Sequence, residues 1–131
     1  MFNILAKTNI VKRILVIDDD PELREVLSRA LSQVGYDVAT ASDGRQASVL
    51  YRGSIPDIVI TDIYMPDKDG LETLMELRRD FPGVKVIAIS GGISHENILQ
   101  VASALGASRT LVKPFEPDEL LQAVAALAAP S

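Results

Sequence analysis

The stretch Ile14-Leu15-Val16-Ile17-Asp18-Asp19-Asp20-Pro21 decides how the chain is read. Its first four residues are all apolar and three are β-branched. A strand with one wet face would alternate apolar with polar residues, so a continuous run suits a strand buried on both faces. The run stops at three aspartates, and Asp20-Pro21 has the form of a helix N-cap followed by a first-turn proline. The same continuous pattern returns at Ile58-Val59-Ile60 and at Val86-Ile87-Ala88-Ile89. Strands of this kind need helices over both faces, which implies a parallel sheet.

Working outward, strands are expected over 13–17, 36–40, 58–61, 85–89 and 110–112, with helical periodicity between them. Leu23, Val26, Leu27, Ala30, Leu31 and Val34 recur at helical spacing and form one stripe, which Gly35 ends. A weaker helix is expected over 45–51. Another, over 71–79, follows Asp69-Gly70 and stops before Phe81-Pro82-Gly83. Ser94 is placed to cap a helix running to Leu105 and ended by Gly106. The last helix begins near Pro117 and carries Leu120, Leu121, Val124 and Leu127. Consecutive β–α units joined by right-handed crossovers make a doubly wound sheet. A closed eight-fold barrel would need roughly 250 residues. The expected fold is therefore α/β and flavodoxin-like, a five-stranded parallel sheet in the order 2-1-3-4-5. The expected organisation is a short leader over 1–11 and one domain over 12–129.

Composition narrows the chemistry. The chain has 131 residues, 47% hydrophobic and 24% charged, an ordinary globular balance that excludes general disorder. It has no cysteine, which removes disulfides, thiolate catalysis, iron–sulfur clusters and cysteine zinc sites. The single histidine, His95, removes a histidine-rich metal site and is expected to be a solvated surface residue. A net charge of −5 lacks the basic excess that binding nucleic acid directly requires. No uncharged apolar run approaches the ~20 residues of a membrane span. The expected address is cytoplasmic, without membrane insertion.

In doubly wound sheets, function sits at the carboxyl ends of the strands. The first expected strand ends in Asp18-Asp19-Asp20, and the third in Asp62 followed by Ile63-Tyr64-Met65-Pro66-Asp67-Lys68-Asp69-Gly70. The fourth ends in Ser90-Gly91-Gly92 and the fifth in Lys113-Pro114-Phe115. In the expected strand order these groups share one cleft. Ionised carboxylates ~4 Å apart repel by about 4 kcal/mol at an effective dielectric near 20. Either a carboxyl keeps its proton or a cation binds. Oxygen donors without histidine or thiolate suit a hard ion such as Mg²⁺, and zinc or copper poorly. Each group also has an ordinary reading: the aspartates as helix caps, Asp62 as a turn residue, Ser90 as a satisfied hydroxyl, Lys113 as a surface charge. Those readings would all have to hold independently at four neighbouring strand ends. Gly91-Gly92 is too short to cradle a phosphate.

These motifs, with Val59-Ile60-Thr61-Asp62, Val86-Ile87-Ala88-Ile89-Ser90-Gly91 and Leu111-Val112-Lys113-Pro114-Phe115, give the chain a close resemblance to the response-regulator receiver domain of two-component signalling, chemotaxis-regulator type. The likeness runs from about Lys12 to Leu127. It implies that Asp62 accepts a phosphoryl group, with Lys113 on a phosphoryl oxygen and Ser90 as the switch hydroxyl. It implies a Mg²⁺ site made by Asp18, Asp19, Asp62 and the Tyr64 carbonyl, with Asp18 acting through water, and a cis Lys113–Pro114 bond. The implied partners are a sensor histidine kinase or histidine phosphotransfer protein and a downstream effector protein or domain. Such a domain is a signalling phosphoacceptor that assists its own phosphorylation and dephosphorylation, not an enzyme with turnover on a free substrate. Two positions depart from the family's habit: Thr110 stands where an aromatic is frequent, and Gly91 where alanine is usual. One rival is a haloacid-dehalogenase-like phosphatase, which expects Asp-x-Asp after the first strand. The other is a receiver-like binding module that works without phosphorylation, which degraded acidic residues would favour.

Overall fold

The computed structural model describes residues 13–63, 70–91 and 95–128, with the backbone alone for 95–98. The expected leader over 1–11, Tyr64 and its turn, Gly92 and the Ser94 cap lie outside the described residues. So does the His95 side chain.

Among the described residues five strands alternate with five helices: β1 Arg13–Ile17, α1 Pro21–Gln33, β2 Asp37–Ala41, α2 Gly44–Gly53, β3 Ile58–Asp62, α3 Gly70–Asp80, β4 Lys85–Ser90, α4 His95–Ala104, β5 Arg109–Val112 and α5 Pro117–Ala128. All strand pairs are parallel and the order is β2-β1-β3-β4-β5, the expected flavodoxin-like arrangement. The continuous apolar runs feed two cores, because successive strand residues point to opposite faces. Ile14, Val16, Ile58, Ile60, Ile87 and Ile89 pack with Leu27 and Leu31 of α1 and Leu120 and Val124 of α5. Leu15, Ile17, Val59, Val86 and Ala88 face the other way, onto α2, α3 and α4.

Element ends differ from the sequence expectation in instructive ways. β2 starts one residue late, because the Tyr36 N–H is taken by the Leu31 carbonyl and its side chain packs against the core. α2 begins earlier than its apolar periodicity suggests, since the Asp43 carboxylate accepts the Gln46 N–H at 2.8 Å and caps it. The α1 stripe is narrower than expected. Leu27 and Leu31 are buried, whereas Val26 is 48% and Val34 57% exposed. Val34 is already the C-cap, with Gly35 at φ 103° carrying the chain out of the helix, and Gly106 does the same after α4 at φ 111°.

Candidate functional site

Register assembles the site. Ile17 pairs with Thr61, so Asp18 emerges beside Asp62. Asp62 pairs with Ile89, so Ser90 follows on the next strand, and Ser90 pairs with Val112, which delivers Lys113. Two backbone bonds extend the ladder past the strand ends: Ile63 N–H to the Ile89 carbonyl at 2.8 Å and Lys113 N–H to the Ser90 carbonyl at 2.8 Å. The Lys113–Pro114 peptide is cis, as the resemblance implied.

The side chains converge. Lys113 Nζ donates to Asp18 Oδ2 at 3.0 Å and to Asp62 Oδ2 at 2.8 Å. Asp18, Asp19 and Asp62 each offer a carboxylate oxygen within 4.8 Å of the others, Asp18 and Asp62 being buried and Asp19 exposed. One ammonium thus bridges two carboxylates of a group of three. Burial pushes the Asp18 carboxyl up and the Asp62 charge adds to this, while the Asp20 N–H and Lys113 pull it back without cancelling the rise. Burial alone would lower the Lys113 ammonium, but Asp62 and Asp18 outweigh it and leave it raised. The excess of negative charge and the all-oxygen donor set fit a hard divalent cation.

Ser90 is buried at the end of β4, and among the described residues its hydroxyl makes a 3.5 Å contact to the Gly91 carbonyl. Gly91 lies against Lys113, whose Cβ would stand 3.0 Å from an added Cβ. Behind the phosphoacceptor candidate, Gly70 opens α3 so close to β3 that a side-chain carbon there would overlap the Asp62 carbonyl oxygen and the Ile63 Cα. Of the expected site residues, Asp18, Asp19, Asp62 and Lys113 are brought together and Ser90 stands on the adjoining strand end. Arg24 was missed by sequence reasoning. Its Nη1 donates to the Asp18 carbonyl oxygen at 2.6 Å from the first turn of α1. Nothing in the motif spacing marks it.

Comparison with known proteins follows the same residues. The response regulator receiver domain profile matches residues 14–125. A probable transcriptional regulator, ycf27, of Guillardia theta is 38% identical over 109 residues, covering 83% of this chain and 42% of the relative. The chemotaxis protein CheY of Thermotoga maritima is 34% identical over 114 residues, covering 86% of this chain and 94% of that protein. The chain spans under half the length of the transcriptional regulators it matches. Among solved structures, the receiver domain of NtrX from Brucella abortus superposes with a TM-score of 0.85 at 30% identity, covering 90% of this chain and 99% of the other. The response regulator TrrA from Thermotoga maritima, solved with Mg²⁺ and BeF, gives a TM-score of 0.79 at 38% identity, covering 88% and 98%.

Proposed function

The chain belongs to the response regulator receiver domain family, and from that premise we propose that it accepts a phosphoryl group on Asp62 and uses the modified site to change its partner-binding surface. The observation that carries this reading is the Lys113 ammonium bridging the buried carboxylates of Asp18 and Asp62 at the ends of β1 and β3.

The donor is a phosphohistidine on a sensor kinase or phosphotransfer protein, or a small acyl phosphate. An Asp62 carboxylate oxygen attacks phosphorus in line with the leaving group, a ring nitrogen for phosphohistidine and a carboxylate oxygen for an acyl phosphate. With phosphohistidine the O–P bond forms, the P–N bond breaks, and its electron pair stays on the imidazole. Such transfers need positioning and charge neutralisation more than covalent assistance. Lys113 is already within hydrogen-bond distance of the accepting carboxylate and follows the developing charge onto a phosphoryl oxygen as a point charge. Asp18, Asp19 and Asp62, with the Tyr64 carbonyl, would hold Mg²⁺, which neutralises phosphoryl and carboxylate charge when bound. The Mg²⁺ and BeF held by the related TrrA support this assignment. Ser90, with its hydroxyl weakly engaged, donates to another phosphoryl oxygen. The product is an acyl phosphate, so water resets it.

Intact mass after incubation with acetyl phosphate and Mg²⁺ tests the reading. Wild-type protein is expected to gain one phosphoryl group and Asp62→Asn none; equal labelling of the variant would remove Asp62 from the role. Sustained turnover of a phosphomonoester would point instead to a phosphatase.

A further inference from the structure

The buried carboxylate Asp18 is held at every polar atom. Its N–H donates to the Ala41 carbonyl at 3.1 Å. Its Oδ1 accepts the Asp20 N–H at 2.9 Å, and its Oδ2 accepts Lys113. Its carbonyl oxygen accepts Arg24 Nη1 at 2.6 Å. That last oxygen belongs to the peptide joining Asp18 to Asp19. Asp19 is exposed, so its carboxylate takes its position from the backbone that carries it. The downstream side of that backbone is fixed too, because Asp20 caps α1 through the Glu22 N–H at 3.0 Å. The upstream peptide is gripped on its oxygen side by Arg24.

The location of this arginine breaks a local rule. Arg24 occupies the first turn of α1, where the helix dipole favours anions and disfavours cations. Its own N–H makes an ordinary helical bond to the Asp20 carbonyl at 3.0 Å, so the backbone gains nothing special from an arginine there. What the side chain adds is a short charge-assisted hydrogen bond to the acidic turn, and local rules tend to be broken where function compensates.

We infer that Arg24 is a positioning residue for the metal-binding turn: by fixing the Asp18–Asp19 peptide it sets the Asp19 carboxylate for a divalent cation. The inference rests on the Mg²⁺ reading above and adds to it a residue outside the acidic set. Its sign is opposite to that of simple electrostatics. A guanidinium near the site repels a cation, so charge alone makes removal of Arg24 tighten Mg²⁺ binding. Loss of a supporting partner that orients a ligand typically weakens metal affinity 10–100-fold.

The test is Mg²⁺ titration by calorimetry at constant ionic strength on wild type, Arg24→Met, Arg24→Lys and Asp19→Asn, with thermal unfolding in EDTA confirming that each is folded. Arg24→Met is expected to bind Mg²⁺ about tenfold more weakly, and Arg24→Lys, which keeps a charged donor, to fall between it and wild type. Arg24→Gln, too short to reach in the same way, carries the same expectation as Arg24→Met and replaces it if that variant does not fold. Unchanged or tighter binding in Arg24→Met, while Asp19→Asn loses affinity, overturns the inference alone. Wild-type protein that binds no Mg²⁺ overturns the metal reading and this inference with it.

Discussion

Asp18 shows how a buried carboxylate is made conditional. Burial and the Asp62 charge raise its proton affinity, and the Asp20 N–H and Lys113 oppose them only in part. For an acid with a raised folded-state pKa, the ionised form costs folding stability at neutral pH. That cost fades as pH falls through the raised value toward the unfolded one near 3.8. Asp18→Asn is therefore expected to be more stable than wild type in EDTA at pH 7, with the difference shrinking toward pH 4. Urea midpoints at the two pH values check this; a difference that grows on acidification would reverse the sign. The residues of the cluster were legible in the sequence because each lies at or just past the carboxyl end of a strand, so sheet register brings them together. Arg24 was not legible. Whether a long helical side chain reaches back over a turn depends on its rotamers and on the space in front of it, and neither is written in residue spacing.

Elements were legible in proportion to their burial. β1, β3 and β4 appear as unbroken apolar runs because both of their faces are covered, and their starts fall where expected. β2 is an edge strand with three exposed residues among five, and its start was misplaced by one. The α1 periodicity overstated the buried seam because Val26 and Val34 fit a helical stripe without facing the core. Close backbone approach is the least legible feature of all. Gly70 permits α3 to begin against the end of β3, and its neighbours there are backbone atoms of Asp62 and Ile63 that have nowhere to retreat. Gly70→Ala is expected to destabilise the protein by about 1–3 kcal/mol through forced displacement and to weaken Mg²⁺ binding by moving Asp62. Gly53→Ala, at the end of α2 with nothing within 4 Å of the added carbon, is the control and should be neutral or slightly stabilising. Urea denaturation with Mg²⁺ titration separates them, and equal tolerance of the two changes would show that the α3 junction yields.

At the scale of the whole molecule, burial is uneven, and the unevenness sets the direction of any switch. β1, β3 and β4 have both faces covered, whereas β5 is an edge strand with Val112 42% exposed, and Val101 on α4 is 46% exposed. Segments with fewer buried contacts open and shift at lower free energy. The far end of α4 is nevertheless pinned. The Arg78 stem fills the space where a Gly106 Cβ would stand, 2.7 Å from its Cδ, and the Arg78 guanidinium donates to the Val84 carbonyl. A phosphoryl group on Asp62 brings about −1.5 to −2 charge and three terminal acceptor oxygens, while the carboxylate it modifies gives up its own single negative charge, so the charge moves outward more than it grows. On the proposed reading Ser90 answers it most cheaply, since among the described residues its hydroxyl surrenders a long 3.5 Å contact to the Gly91 carbonyl. Drawing Ser90 inward should move the start of α4 first, while the Arg78–Gly106 contact holds the other end, so α4 should pivot about its C-terminal turn. Amide exchange with Mg²⁺ and beryllofluoride should therefore change across 95–112, more in the first half of α4 than near Gly106. With Thr110 on β5 and no aromatic ring to bury there, the change at β5 should be smaller still. Ser90→Ala should bind Mg²⁺ as wild type does but lose most of the exchange change. Undiminished changes in that variant would place the switch on another contact, and a uniform change along α4 would show that Arg78 does not anchor the helix.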